Sequence, residues 1–205
     1  MSSYENEIKK AGAKATALLN KIDFSMMKYL WLANPLNGAR KDSIPKFLRN
    51  IELFKNFSDN ELRILAKFMH SRKFSEEEII FRQGEIGIGF YFIFSGTVEM
   101  KYAENSIESE QERFLILDEF SYFGELALLQ DNTPRTATAI AHSHCNLVGI
   151  FKPDLDHLIL HQPVIAAKLI QSISIAIADR LYYFTQEATK VYKKLKTLEA
   201  QNDSK

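Results

Sequence analysis

FYFIFSGTVEMKY, residues 90–102, is the stretch on which the fold turns. Val98, Met100 and Tyr102 alternate with Glu99 and Lys101, the period of two expected of a half-buried strand. The run ahead of them is dense in aromatic and β-branched side chains, which favour extended backbone. Outward from it, IIFRQG (79–84), RFLILDEF (113–120), RTATAIA (135–141) and LVGIF (147–151) are short segments of the same kind. Gly, Asn, Ser or Pro separates them, so the centre of the chain reads as a compact antiparallel sandwich or barrel.

Helical patterns flank this centre. Residues 4–33 carry a stripe from Ala11, Ala13, Ala15, Leu18 and Leu19 on to Ile22, Met26, Met27, Leu30 and Trp31. NPLNGARKDSIP (34–45) breaks it with two prolines and a glycine. A second helical piece runs from Lys46 to Phe54. Ser58 then caps a further helix with Glu61 three residues on, a capping box, and Leu62, Leu65, Ala66 and Met69 form its buried side. After Lys152-Pro153 the helical period returns. Residues 163–201 form one long helix or two joined pieces, with Ile165, Leu169, Ile173, Ile177 and Leu181 on one side and a polar, fraying end.

The 205 residues suit one domain with an extension, at about 150 residues per domain. Lys plus Arg total 26 and Asp plus Glu total 26, so the chain is neutral and lacks the long-range pull of a general nucleic-acid or membrane-surface binder. A lone cysteine, Cys145, excludes a disulfide framework and any multi-cysteine metal site. The start, MSSYENEIKK, lacks the apolar core of a secretion signal, and no run is long and apolar enough to span a bilayer. A soluble, cytoplasmic protein is expected.

FGELALLQDNTPRTATAIA, residues 123–141, carries the chemistry. Glu125 sits among apolar residues, where an ionised acid needs hydrogen-bonding partners. Gly124 before it permits close backbone approach. Past LALL and the turn DNTP, Arg135 opens a strand of small residues. A glycine, a helical turn with free amides and a planar cation make an anion cradle, and a nearby carboxylate accepts from neutral hydroxyls. Together they ask for a compact phosphate with an adjacent sugar hydroxyl.

This segment resembles the phosphate-binding cassette of cyclic nucleotide-binding domains, as in regulatory subunits of cAMP-dependent protein kinase, catabolite activator-like regulators and cyclic nucleotide-gated channels. FKNFSDNELRILAKFMHSRKFSEEEIIFRQGEIGIGFYFIFSGTVEM follows the family's opening, with a glycine turn at Gly84 and a Ser95-Gly96 hairpin. HQPVIAAKLIQSISIAIADRL is similar to its closing helices. The resemblance implies an α+β protein, an antiparallel β-roll (a double-stranded jelly roll of about eight strands) flanked by N- and C-terminal helices. It divides the chain into a helical extension (1–49), the domain (50–185) and the helix end and tail (186–205).

The resemblance further implies that Arg135 pairs with the phosphate, that Glu125 takes the ribose 2′-hydroxyl, and that amides near Gly124, Glu125, Ala127 and Thr136 complete the cradle. Thr136 leaves cGMP open beside the preferred cAMP. Arg180, Tyr182, Tyr183 and Phe184 are candidates for a lid over the base, each of them equally compatible with ordinary packing. One departure is Glu77, where the family commonly has a turn glycine, so that turn is expected to take another shape.

The implied function is a sensor, not an enzyme, that couples ligand to its last helix and so to an effector protein or a homodimer, without direct DNA or membrane binding. The alternative is an interaction protein on the same fold with an empty pocket. A separate reading has Glu125 and Arg135 simply pair with each other, an internal salt bridge closing a turn. His142 and His144 alternate on a presumed strand like a cupin-type metal pair, but no carboxylate follows them, and no metal is expected. His157 and His161 read as surface residues.

Overall fold

The computed structural model describes residues 43–102 and 113–202. Most of the N-terminal extension, the linker and the last three residues of the tail therefore lie outside the described residues. Helix α1 (Ile44–Arg49), a 3-10 turn (Glu52–Phe54), α2 (Asp59–Leu65) and a second 3-10 turn (Ala66–Phe68) lead into the strands. These are β1 (His70–Phe74), β2 (Ile79–Phe81), β3 (Gly89–Ser95), β4 (Val98–Tyr102), β5 (Arg113–Leu117) and β6 (Tyr122–Phe123). A short α3 (Leu126–Leu129), β7 (Thr138–Ala141) and β8 (Cys145–Phe151) follow, then α4 (Lys152–His161) and the single 40-residue α5 (Pro163–Asn202).

The strands form two four-stranded sheets, ordered β1-β8-β3-β6 and β2-β7-β4-β5, with antiparallel pairing throughout. This is the expected β-roll with flanking helices. One local expectation changes. Ser95-Gly96 joins strands of different sheets, so it is a corner and not a hairpin. Gly96 there has a φ of +84°, and a Cβ on it would stand 2.4 Å from the His144 carbonyl.

Strand β3 explains why its aromatic run shows no polar alternation. Phe90 and Phe92 face the helices, with Val148 and Ile150 of β8. Tyr91 and Ile93 face the roll interior, with Leu147 and Phe151. Both faces are buried, and fully burying one such side chain contributes about 1.5–3 kcal/mol. Helix α5 packs on the outer core through Ile165, Ala166, Leu169 and Ile173, the four-residue recurrence of one helical face. Ile177 is partly buried and Leu181 is 66% exposed, so α5 leaves the core there.

Both N-terminal and C-terminal helices are tied together at the capping box. The Ser58 amide donates to Glu61 Oε2 at 2.7 Å and the Glu61 amide to Ser58 Oγ at 3.3 Å. Lys168 of α5 donates to both Glu61 oxygens, at 2.7 and 2.9 Å. The Lys168 bond, then the Ser58 amide, pull the Glu61 carboxyl down to about 2 from an ordinary 4.5. The structure also corrects the expectation for Glu77. Its turn keeps the left-handed shape, with Glu77 itself at a φ of 64° and its amide donating to the Ala141 carbonyl at 2.7 Å.

Two outcomes follow from these positions. A left-handed L-residue costs roughly 1–2 kcal/mol, so Glu77→Gly raises stability by about 1 kcal/mol and the melting temperature by about 2–4 °C; an unchanged or lower melting point would contradict the strain. Because the Glu61 carboxyl is lower in the fold than its ordinary value, its stabilising effect is present above pH 4.5 and fades as pH falls toward about 2. Lys168→Met flattens that part of the stability–pH curve in denaturant titrations, and a curve of unchanged slope would show that Lys168 does not hold the carboxylate.

Candidate functional site

Arg135 is placed by its backbone before its side chain does anything. Its amide donates to the Glu85 carbonyl at 2.8 Å, and its own carbonyl accepts from the Gly84 amide at 2.8 Å. The Gly87 amide reaches Thr133 O at 2.9 Å, so the loop after β2 clasps the loop before β7. The side chain then turns inward and is only 7% exposed. Nη2 donates to the Gly89 carbonyl at 2.8 Å and Nη1 to the Gly124 carbonyl at 3.2 Å. The guanidinium lies over the Phe81 ring at 4.0 Å.

Glycines make this seat. A Cβ at Gly124, where φ is +82°, would meet Arg135 Nη1 at 2.5 Å, and one at Gly87 would meet Arg135 Cζ at 3.1 Å. Burial pushes the guanidinium down from its ordinary value, while the phenol of Tyr91 acts against that shift. Among the described residues no carboxylate forms an ion pair with Arg135.

Glu125, 8% exposed, ends the β6 turn and begins α3. Its Oε1 accepts from Arg180 Nη1 of α5 in a close ion pair. Arg180 also lies 5.0 Å from the Tyr122 ring centre. The two groups from the cassette therefore do not form the internal salt bridge with each other. They stand on the wall of one cavity of about 260 Å³, with Gly124, Ala127 and Thr136. The Ala127 amide is not free, since it donates to Gly124 O at 3.3 Å.

Of the four lid candidates, Arg180 and Phe184 line the cavity. Tyr182 and Tyr183, 68% and 65% exposed, do not. The sequence reading missed the apolar wall, made by Met100 and Tyr102 of β4 and Leu115 and Leu117 of β5. Their alternation was visible, yet it reads as core, and only the closure of the roll leaves a cavity beside it. It also missed Gly87 and Gly89 as the seat of Arg135, although the spacing in GEIGIG (84–89) was the available signal.

His142 and His144 lie in the bend between β7 and β8, both exposed, and not on a strand. Among the described residues no group of three or more His, Cys, Asp or Glu is placed to hold a metal. No described helix is long and apolar enough to cross a membrane. Cys145 is buried, which pushes its thiol up to about 11.

The antiparallel roll thus brings a buried arginine and a buried glutamate to the wall of one small cavity. Residues 71–162 match the family model of the cyclic nucleotide-binding domain. That span takes in the β-roll almost whole, from β1 to α4. The chain is 33% identical over 124 residues to a cAMP-dependent protein kinase regulatory subunit of Mucor circinelloides f. lusitanicus, 60% of this chain and 28% of that protein. It is 29% identical over 136 residues to a putative potassium channel protein of Rhodopseudomonas palustris, 65% of this chain and 32% of that one. It thus spans about a third or less of the length of these curated relatives.

Among solved structures, the Thermus thermophilus catabolite activator protein matches with a TM-score of 0.59 and 27% identity, over 68% of this chain and 62% of that chain. A cyclic nucleotide-binding domain from Methylobacillus flagellatus shares the fold, with a TM-score of 0.61 and 20% identity over 72% of this chain and 83% of that one.

Proposed function

We propose that the cavity binds a cyclic nucleotide, cAMP ahead of cGMP, and that the chain is a non-catalytic sensor whose output runs through α5. One observation carries this reading: a buried guanidinium on the cavity wall with no carboxylate paired to it among the described residues. A charge in that setting is costly unless an anion completes its shell. The phosphate of the ligand supplies the anion, and Glu125 accepts from the ribose 2′-hydroxyl. The cavity, at about 260 Å³, lies just below the ~300–1,000 Å³ of small-molecule sites, so its occupant is compact. The relatives named for cAMP dependence favour adenine. Thr136, exposed at the cavity, offers the hydroxyl that cGMP would use.

The coupling runs through Arg180. A ribose hydroxyl and Arg180 both seek Glu125, so ligand changes what holds α5 to the roll. Phe184, one turn further on, gives the base an aromatic face. The start of α4 is the pivot: Asp154 Oδ2 accepts from the Phe151 amide at 3.2 Å and is bonded to His70 Nε2 at 3.0 Å. A ligand shifts such an equilibrium only by its differential affinity for the two arrangements.

Calorimetric titration tests the binding. cAMP releases heat, and Arg135→Ala weakens it by about tenfold or more, since a charge-assisted bond contributes about 1.5–3 kcal/mol. Glu125→Gln, which leaves the arginine seat intact, also weakens it. A change of protection in α5 on adding cAMP, read by hydrogen exchange, accompanies binding. No heat with either nucleotide at millimolar concentration would leave an interaction module with an empty pocket, and identical exchange profiles would remove the α5 mechanism.

The outer half of α5 also fits a second copy. Ile177, Leu181, Phe184, Ala188 and Val191 recur at alternating spacings of four and three, the seam of a two-helix coiled coil. Leu181, Phe184 and Val191 are 66%, 70% and 55% exposed. Light scattering then gives a mass that rises toward the dimer with concentration and falls in Leu181→Glu; a monomer mass at every concentration would exclude it.

A further inference from the structure

We propose that the groove between α1 and α2 is a docking site for an acidic polypeptide segment of a partner protein. It is an open groove of about 700 Å³, well separated in sequence from the cassette and lined by none of its residues. Lys46 and Arg49, three apart on α1, form one wall. Arg63 and Lys67, four apart on α2 and its 3-10 extension, form the other, with Leu62 and Ala66 between them. The spacings put each pair on one helical face.

The single acid of the lining, Asp59, is already used. Arg49 Nε and Nη2 donate to its Oδ1 at 3.1 and 2.5 Å, and Nη1 donates to the Phe57 carbonyl at 2.6 Å. Arg49 is therefore a brace that ties α1 to the start of α2. Lys46, Arg63 and Lys67 remain exposed, and among the described residues no carboxylate pairs with them. A neutral chain has thus gathered a positive groove, to which an acidic occupant is the electrostatic complement.

The lining selects the class of occupant. No aromatic side chain lines the groove, so it lacks the stacking platforms on which single-stranded nucleic acid binds. A flat bilayer does not reach the floor of a groove between helices. An acidic peptide does, with carboxylates on both walls and one apolar side chain on the Pro45, Leu62 and Ala66 floor. The inference is independent of the nucleotide reading.

Fluorescence anisotropy of the full chain tests it, with a labelled peptide of Asp and Glu around a leucine pair. The peptide binds, and binding weakens as salt rises past the ~10 Å screening length of 0.1 M. Arg63→Glu combined with Lys67→Glu weakens it by about tenfold or more, with an unchanged melting temperature, and Lys46→Glu on the opposite wall weakens it as well. Three results would overturn the proposal: no binding at millimolar peptide, binding indifferent to these reversals, or a labelled oligothymidylate or anionic vesicle bound more tightly than the peptide. Sedimentation adds a fourth: self-association abolished by the same reversals would assign the groove to a second copy of the chain.

Discussion

A guanidinium taken out of water must be met on every side, and the burial of Arg135 is the demand around which this roll is arranged. The effective penalty for burying an ion is several kcal/mol. Two charge-assisted bonds to carbonyls contribute about 1.5–3 kcal/mol each, and a desolvated ring face adds up to about 2 kcal/mol. Those partners come from separate elements: Gly89 from β3, Gly124 from the end of β6, Phe81 from β2. The carbonyls can approach only because Gly87 and Gly124 carry no Cβ to fill the space. One side chain therefore ties both sheets to the cassette, and it also lines the cavity.

Opposite charges on one small cavity ordinarily collapse onto each other. Here each has been given another partner. Arg135 is held by backbone carbonyls that carry no net charge, and Glu125 by Arg180 from a helix that leaves the core just before it. The consequence is a cavity with the Arg135 cation on one wall and the Glu125–Arg180 pair on another, which in the proposed reading meet the anion and the neutral hydroxyl of one ligand. Its third side, Met100, Leu115 and Leu117, is apolar.

Much of this was legible in the sequence, for identifiable reasons. The capping box at Ser58 and Glu61 is a local device, so three residues sufficed to see it. The short strands of β4 and β7 alternate because one face is wet. Gly124, Glu125 and Arg135 stood out because acid, cation and glycine in an apolar setting have few purely structural uses. What stayed hidden is non-local. That Glu61 would be held by Lys168, or Glu125 by Arg180, depends on how α5 crosses the roll, with sequence separations of 107 and 55 residues. The Ser95-Gly96 corner was misread for a similar reason: the local signal for a turn does not say whether the flanking strands pair. At Glu77 a propensity argument gave way to tertiary context, since the bond to Ala141 holds a left-handed glutamate in place.

Helix α5 makes these separate observations mechanical. Lys168 and Arg180 are twelve residues apart, about 18 Å along one rigid rod. The first grips the capping box of α2, the second the cassette, and α2 is also a wall of the basic groove. In the proposed sensor, exchanging Arg180 for a ribose hydroxyl at Glu125 replaces one charge-assisted bond with another, so that exchange alone drives little. The driving force must come from the other end of the ligand, where the phosphate meets Arg135 and gains a bond without breaking one. The cation therefore supplies the affinity, and the carboxylate converts it into motion by choosing between the ligand and the helix.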